Sequence, residues 1–385
     1  MLLFADGFDH YGSGSTGESN MLDGVYADVL GDGSGPSTTV TPATGTYSYY
    51  FGQGHTGNVN DCSGLRKVLP TAVDTLGIGM HLYFPQLPNG LAITGNAMIC
   101  GMFPSATLAN SQISFFVGST GNIVCHRGGD GDTSLMGTEL FATDPLLVAS
   151  AWNHIEIQAS IHDTEGWVRI AVNGVHRYEA TGLDTMNHAS GTVGQILMSR
   201  PYLGEHNTSC RWYMDNLYIY DFTGTAATYT DWCPTVDGGG VATNYMGEWQ
   251  CMYLPPNADT AEDDWAPSTG SDAYAVVDET TPDDADYISS STAGDLTEMA
   301  LTDLPEDITV VRGLMLVGRM SKSDAGPALT TFGMKSVAAI DDADERPITV
   351  EPTYWWDFIN VDPNSSARWT RASLNAAWIR LTRTA

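Results

Sequence analysis

The sequence predicts an all-β chain of antiparallel sandwiches, built from short strands joined by tight turns. Three observations carry this. Gly is abundant, at 41 of 385 residues, and supplies the positive φ that tight turns need. Segments rich in Val, Ile, Thr, Tyr and Trp alternate apolar with polar residues, which is the period of a half-buried strand. The first 220 or so residues contain no long amphipathic helical pattern.

The elements follow in order. A short apolar segment opens the chain, and a Gly/Ser-rich loop completes residues 1–30. Strands are expected at 46–51, 78–84, 97–103, 112–117 and 121–126. The clearest hairpin comes next. Ile155, Ile157, Ala159 and Ile161 alternate with polar residues, as do Val168, Ile170 and Val172. Asn173-Gly174 then supplies a two-residue turn of the type I′ kind before a return strand at 175–178. Two more strands are expected at 194–199 and 210–220. Regular strands separated by turn signals argue for a sandwich.

A break in composition follows. From Trp212 to Val311 there is no Lys or Arg but there are 20 Asp or Glu. Residues 255–270, rich in Pro, Asp and Ala, read as an extended arm with a solvated acidic surface. Beyond them, strands are expected at 308–317, 328–336, 346–350 and 356–361, then a helical turn at 373–377 and a last strand at 378–382. The domains are therefore expected at 1–222 (sandwich), 223–269 (acidic linker or extended arm) and 270–385 (a smaller β domain). Nine of the basic residues lie from Arg312 onward, opposite the acidic middle. No internal repeat or coiled-coil heptad is present.

Charge limits the partners. With 46 acidic and 16 basic residues the chain carries a net charge of −30. Phosphate contacts need Lys and Arg, so nucleic acid is excluded, and anionic membrane surfaces are disfavoured likewise. No run of 18 apolar residues occurs, so no membrane insertion is expected. The opening turns acidic by Asp6 and has no basic n-region, so no signal peptide is expected. The cysteines, Cys62, Cys100, Cys125, Cys210, Cys233 and Cys251, include no CxxC pair. They read as buried thiols of a chain made in a reducing cytoplasm.

Candidate chemistry is sparse. Retaining hydrolysis needs two closely spaced carboxylates, and the Glu-x-Asp-x-Glu pattern of sandwich glucanases is absent. Glu156 and Glu165 flank a turn and do not share one face. No Gly-x-Ser-x-Gly elbow occurs. No catalytic residue is therefore assigned, and the chain is expected to be non-enzymatic. His206 with Cys210, and Cys125 with His126, have the spacing of half a metal site but read better as unrelated residues. No cofactor is expected, with calcium as the one open case: Asp130 and Asp132 in a Gly/Asp turn, Asp215 beside Asn216, and Asp6 with Asp9 offer hard oxygen ligands. Trp152, Trp167, Trp212 and Trp232 are the candidate platforms for sugar stacking, though core packing is the commoner use of Trp in a sandwich.

Several of these segments together resemble a family. The opening Phe4-Ala-Asp-Gly-Phe-Asp-His-Tyr11 resembles the start of phage-encoded, laminin-G-like structural proteins. Trp152-Asn-His-Ile-Glu-Ile-Gln158 and Gly166-Trp-Val-Arg-Ile-Ala-Val-Asn-Gly174 look like their central hairpin, and residues 213–224 look like their closing strand. Met246-Gly-Glu-Trp, then residues 265–270, 274–279 and 283–288, continue the similarity. Asn216 stands where a second Asp is common, which weakens calcium at Asp215. The resemblance implies an N-terminal concanavalin A-like jelly-roll sandwich, an acidic linker and a second, smaller β-sandwich-like domain. It further implies a non-enzymatic virion protein of a tailed bacteriophage: a tail-tip, baseplate or tail-fibre component, with a capsid decoration or head-fibre protein as the alternative and a glycan depolymerase behind both. The implied partners are other virion proteins, a host-surface glycan and copies of the chain itself in a homo-oligomer, a trimer by analogy with other phage appendages.

Overall fold

The computed structural model describes residues 2–30, 34–51, 63–88, 97–105, 110–129, 136–200, 211–222, 244–324 and 326–385. In chain order, the first part contributes strands β1 (Leu2–Asp6), β2 (Asp28–Leu30), β3 (Gly35–Ser37), β4 (Ser48–Phe51), β5 (Ser63–Val73), β6 (Thr75–Tyr83), β7 (Ala97–Phe103) and β8 (Ile113–Val117). It continues with β9 (Ile123–Gly129), β10 (Met136–Ala142), β11 (Trp152–Ser160), β12 (Gly166–Val172), β13 (Val175–Leu183), β14 (Val193–Arg200) and β15 (Trp212–Asp221). One helix, α1 (Gly14–Leu22), lies between β1 and β2.

These strands form two antiparallel sheets. The eight-stranded sheet runs β13-β12-β11-β6-β15-β4-β3, with β1 also on β15. The seven-stranded sheet runs β10-β9-β8-β7-β14-β5-β2. Alternation assigns the faces. Ile78, Met80 and Leu82 of β6, Ile155 and Ile157 of β11 and Ile219 of β15 join Ile99, Ile113, Phe115 and Ile196 of the other sheet in one buried core. This is a concanavalin A-like jelly-roll sandwich. Asn173 (φ 50°) and Gly174 (φ 71°) form the expected left-handed turn between β12 and β13. The Asn173 side chain also accepts from the His154 backbone N–H at 2.9 Å, which ties the turn to β11.

The second part contributes β16 (Pro256–Asp263), β17 (Ala266–Pro267), β18 (Ile288–Ser289), β19 (Leu296–Leu301), β20 (Leu314–Met320), β21 (Leu329–Ser336), β22 (Ala339–Asp342), β23 (Arg346–Pro347), β24 (Thr353–Ile359), helix α2 (Arg371–Asn375) and β25 (Ala377–Arg383). A six-stranded sheet runs β16-β19-β25-β21-β22, with β23 on β21. The Thr370 hydroxyl accepts from the Ser373 backbone N–H, and the Thr370 backbone N–H donates to the Ser373 hydroxyl in return, a capping box that fixes where α2 begins.

Strands β20 and β24 pair only with each other, and this ribbon joins the two parts. One face carries Leu314, Leu316 and Ile359 into the smaller core, with Met334, Trp369 and Leu374. The other carries Met315, Val317, Tyr354, Trp356 and Phe358 onto the core of the sandwich. The Lys67 ammonium lies 3.9 Å from the centroids of both Phe4 and Trp356, and donates to the Val25 carbonyl at 2.6 Å. Arg319 bridges Asp23 at 2.7 Å and Asp284 at 2.8 Å. Lys335 reaches the buried Glu298 at 2.6 Å. Some of the basic residues beyond Arg312 thus pair with acids of the same chain.

Several elements depart from the sequence reading. Residues 256–263 were expected in an acidic linker; they are β16, paired with β19 through Pro256, Ala258, Asp259 and Asp263. Residues 14–22 form α1 where a loop was expected, because Tyr11, Met21, Val25 and Tyr26 bury their side chains around that turn. Strands β5, β10 and β19 were also not anticipated. Residues 308–313 lie outside any strand, so the ribbon begins at Leu314.

Candidate functional site

The face of the larger sheet that points away from the core carries an ordered grid of polar and aromatic side chains. Register places Tyr50, Tyr213, Tyr83 and Trp152 in one row across β4, β15, β6 and β11. The next row along the strands holds Asp215, His81 and His154. Then come Tyr218, Gly79 and Glu156, followed by Tyr220, Gly77 and Gln158. The two glycines are required there. A Cβ on Gly79 would sit 1.9 Å from the Tyr218 ring, and one on Gly77 would sit 2.0 Å from the Tyr220 ring. The two phenols lie flat across β6 and reach Glu156 on β11.

The first row is aromatic and half open. Ring centroids are 4.9 Å apart for Tyr50–Tyr213, 6.1 Å for Tyr213–Tyr83 and 5.5 Å for Tyr83–Trp152. Tyr50, Tyr83 and Trp152 are half-buried, and Tyr213 at the centre is buried by its neighbours. Trp152 is fixed in place by its indole N–H, which donates to the Thr41 carbonyl at 2.9 Å. The row sets three half-open rings beside a buried fourth on one sheet.

The remaining rows are closed over by a strap, residues 244–251. Glu156 is its anchor and is fully buried. Its carboxylate accepts from the backbone N–H of Met246 at 2.8 Å and of Gly247 at 2.9 Å. It also accepts from Gln158 at 3.1 Å and from the hydroxyls of Tyr218 and Tyr220. Burial pushes the Glu156 pKa up, against these hydrogen bonds, which pull it down. Trp249 stacks on Tyr218 with centroids 4.8 Å apart. The Tyr245 hydroxyl is 2.7 Å from His176 Nδ1, and the Arg169 guanidinium lies over the Tyr245 ring. Glu248 reaches Nε2 of His81 at 3.0 Å with 55% of its side chain exposed, at the border between strap and open row. Burial, with His81 alongside, lowers His154 to a pKa of about 4, so it is a neutral imidazole at pH 7.

Asp215, the calcium candidate on β15, is fully buried and occupied by protein donors. It accepts from the backbone N–H of Thr44 at 3.0 Å and of Asn216 at 2.7 Å. Asn216, at φ 51° in a bulge of β15, accepts from the Thr44 hydroxyl and from Cys251 N–H, both at 2.7 Å. The pair pins the 43–47 loop and the end of the strap, so its geometry serves the backbone. Burial pushes Asp215 up to about 8. Asp6 and Asp9 are used the same way: Asp6 accepts from Phe8 N–H and from the hydroxyls of Tyr11 and Tyr26, and Asp9 from the N–H groups of Thr46 and Tyr47. Among the described residues, no three His, Cys, Asp or Glu side chains are grouped to hold a metal. Asp130 and Asp132 lie outside the described residues, as do His206, Cys210 and Trp232. Cys125 points into the core while His126 points to the opposite face, where Nδ1 meets the Gly137 carbonyl, so the two do not form a site.

Of the candidate tryptophans among the described residues, only Trp152 stands in the open row. Trp212 is in the core, stacked 3.7 Å from Phe51. Trp167 is buried on the outer face, edge-on to Phe222. The tyrosines were missed because a row needs the pairing of four separate strands. The only trace in the sequence is an aromatic at an outward-alternating position in each strand.

Four of the segments that carry the family resemblance converge here. Trp152, His154 and Glu156 come from one, Tyr213 through Asp221 from another, and Met246 through Trp249 from a third. The opening Phe4-to-Tyr11 segment buries Phe4 and Phe8 beneath the same sheet and uses Asp6 to bind Tyr11 and Tyr26.

No family model matches the chain, and no curated protein matches it. Solved structures similar to it include the alginate lyase Aly36B, at 12% identity over 57% of this chain and 96% of that one, with a TM-score of 0.35. Domain 4 of AbnA, a GH43 extracellular arabinanase from Geobacillus stearothermophilus solved with arabinotriose, is similar at 16% identity over 57% of this chain and 92% of that one, with a TM-score of 0.33. The Emp46p carbohydrate recognition domain is similar at 8% identity over 57% of this chain and 96% of that one, with a TM-score of 0.32.

Proposed function

We propose that this chain is a non-enzymatic structural protein of a tailed-phage virion, and that its sandwich binds a neutral glycan of the host surface on the aromatic row. The observation that carries the glycan reading is the register-aligned set Tyr50, Tyr213, Tyr83 and Trp152. Sugar rings present apolar C–H faces to aromatic faces and hydroxyls to their polar edges. A row fixed on strands needs little ordering on binding. The net charge of −30 disfavours acidic polysaccharides. The non-enzymatic part is supported by the lack of the Glu-x-Asp-x-Glu pattern in the sequence. The virion placement is supported by the family resemblance, three of whose segments meet on this face. Its location would be a tail tip, baseplate or tail fibre.

An array of neutral and acidic glycans tests the ligand. Binding confined to neutral glycans, with no shortened product after incubation, is expected. Binding to acidic glycans alone, or product release that disappears in Glu156→Gln, contradicts the reading. Gold-labelled antibody on intact particles tests the location: label on the tail is expected, and label on the head alone assigns a capsid decoration instead.

A further inference from the structure

The strap deepens the glycan reading and rests on it. We infer that residues 244–251 are a displaceable gate over an extension of the aromatic row, and that a longer neutral oligosaccharide takes their place on Tyr218, Glu156 and His154. Four observations carry this. The covered rows lie on three of the four strands that carry the open one, directly along the sheet. Their polar groups are two hydroxyls, two imidazoles, two carboxylates and an amide, which suits a hydroxyl-rich ligand.

The strap is held by the Met246 side chain, packed with Leu2, Tyr218 and Tyr220, and by a set of contacts that a sugar can reproduce. Trp249 stacks on the Tyr218 ring, two N–H groups donate to Glu156, and the Gly247 carbonyl accepts from Tyr218 at 2.6 Å. A sugar face can replace the indole, and sugar hydroxyls can donate and accept in the same places. The fit of the strap is also incomplete. Nδ1 of His154 and Oε1 of Gln158 meet no hydrogen-bond partner among the described residues, though the side chains are 1% and 0% exposed. A buried polar atom without a partner is costly, and a ligand rich in hydroxyls supplies what the strap does not. Glu248 marks the border: its half-exposed carboxylate on His81 separates the open row from the covered ones.

Two measurements on the full chain test this. Without ligand, native-state hydrogen exchange of the Met246 and Gly247 amides is expected to proceed by local opening, at a free energy below that of global unfolding. Exchange of these amides only through global unfolding overturns the gate, whatever the protein binds. With ligand, β-1,4-linked gluco- and manno-oligosaccharides of two to six units are titrated into the wild type and Trp249→Ala. Loosening the strap is expected to tighten binding of the longest oligomers by about tenfold, or about 1.4 kcal/mol, and to leave the dimers unchanged. Equal or weaker binding of long oligomers by Trp249→Ala, with dimers still bound, overturns the gate and spares the row. Failure of every length to bind either protein counts against the glycan reading, and the extension falls with it.

Discussion

Replacing Glu156 with Gln changes one oxygen to an NH2 group at the most enclosed polar position of the sheet. Oε1 now accepts from Met246 N–H, Gln158 and Tyr220, and Oε2 from Gly247 N–H and Tyr218. The less damaging orientation puts the new donor at Oε2. The Tyr218 hydroxyl, which donates to the Gly247 carbonyl, keeps a lone pair to accept from the new amide, but Gly247 N–H loses its acceptor and faces a second donor. One buried N–H without a partner costs about 1–3 kcal/mol, and the retained bonds lose the added strength of an ionised acceptor. Burial already opposes the charge on Glu156, which trims the total, so a loss of about 2–3 kcal/mol is expected. Against a typical domain stability of about 5–15 kcal/mol this is readily measured. Urea unfolding at pH 7 gives the change, and amide exchange at Met246 and Gly247 shows whether the strap is released. The exposed turn residue Glu165 is the control, since Glu165→Gln is expected to stay within about 0.5 kcal/mol. If Glu156→Gln also stays within that range and the strap amides exchange no faster, the reasoning about this carboxylate is refuted.

Three further outcomes are expected, each from a different part of the molecule. Asp215 titrates at about 8 when folded and near the ordinary carboxylate value of about 4 when unfolded. The folded chain therefore holds a proton that the unfolded chain has released, and this contribution to stability is lost as pH rises from about 4 to about 8. Asp215→Asn is expected to flatten the slope of urea stability across that window, and parallel slopes contradict the assignment. Trp356→Ala removes a ring that packs on Phe4 and flanks the Lys67 ammonium; a loss of about 2–4 kcal/mol is expected, with unfolding of the two parts no longer coincident by fluorescence and amide exchange. An unchanged single transition contradicts the role given to the ribbon. At the turn after β12, Gly174→Ala forces a Cβ into φ 71° and is expected to cost about 1–2 kcal/mol in thermal unfolding, whereas no change indicates that the turn relaxes.

Much of the fold was legible in the sequence because strand alternation and turn chemistry are local. The 152–183 hairpin could be read from Ile155, Ile157, Val168, Ile170 and the Asn173-Gly174 pair without any knowledge of the rest. Strand β16 could not. Its Pro, Asn, Asp, Ala and Glu residues disfavour strands, and it is held by pairing with β19 and by Asp259, which accepts from the N–H groups of Ala273 and Tyr274. Helix α1 was hidden likewise, because Gly14, Ser15, Thr16 and Gly17 read as a loop and only the burial of Met21 gives the turn its place. The site was half legible. Trp152, Glu156 and Asp215 were visible as residues, but Asp215 reads as a cation ligand only until its backbone donors are known. The row of four rings exists in the register of β4, β15, β6 and β11, and no single segment contains it. Tyr218 and Tyr220 looked like strand residues of either face, and the glycines opposite them gave no local sign of what they accommodate.

The row of four rings is where the proposed glycan site stands or falls. Titration calorimetry with the neutral oligosaccharide selected by the array, on the wild type, Tyr83→Ala and Trp152→Ala, addresses it directly. Trp378→Ala, on a half-buried Trp of the smaller sheet, serves as the control. Loss of at least about tenfold in affinity, or about 1.4 kcal/mol, is expected for each row variant, with Trp378→Ala binding as the wild type does. Row variants that bind as tightly as the wild type, with their folds intact, contradict the assignment of the glycan site to this face.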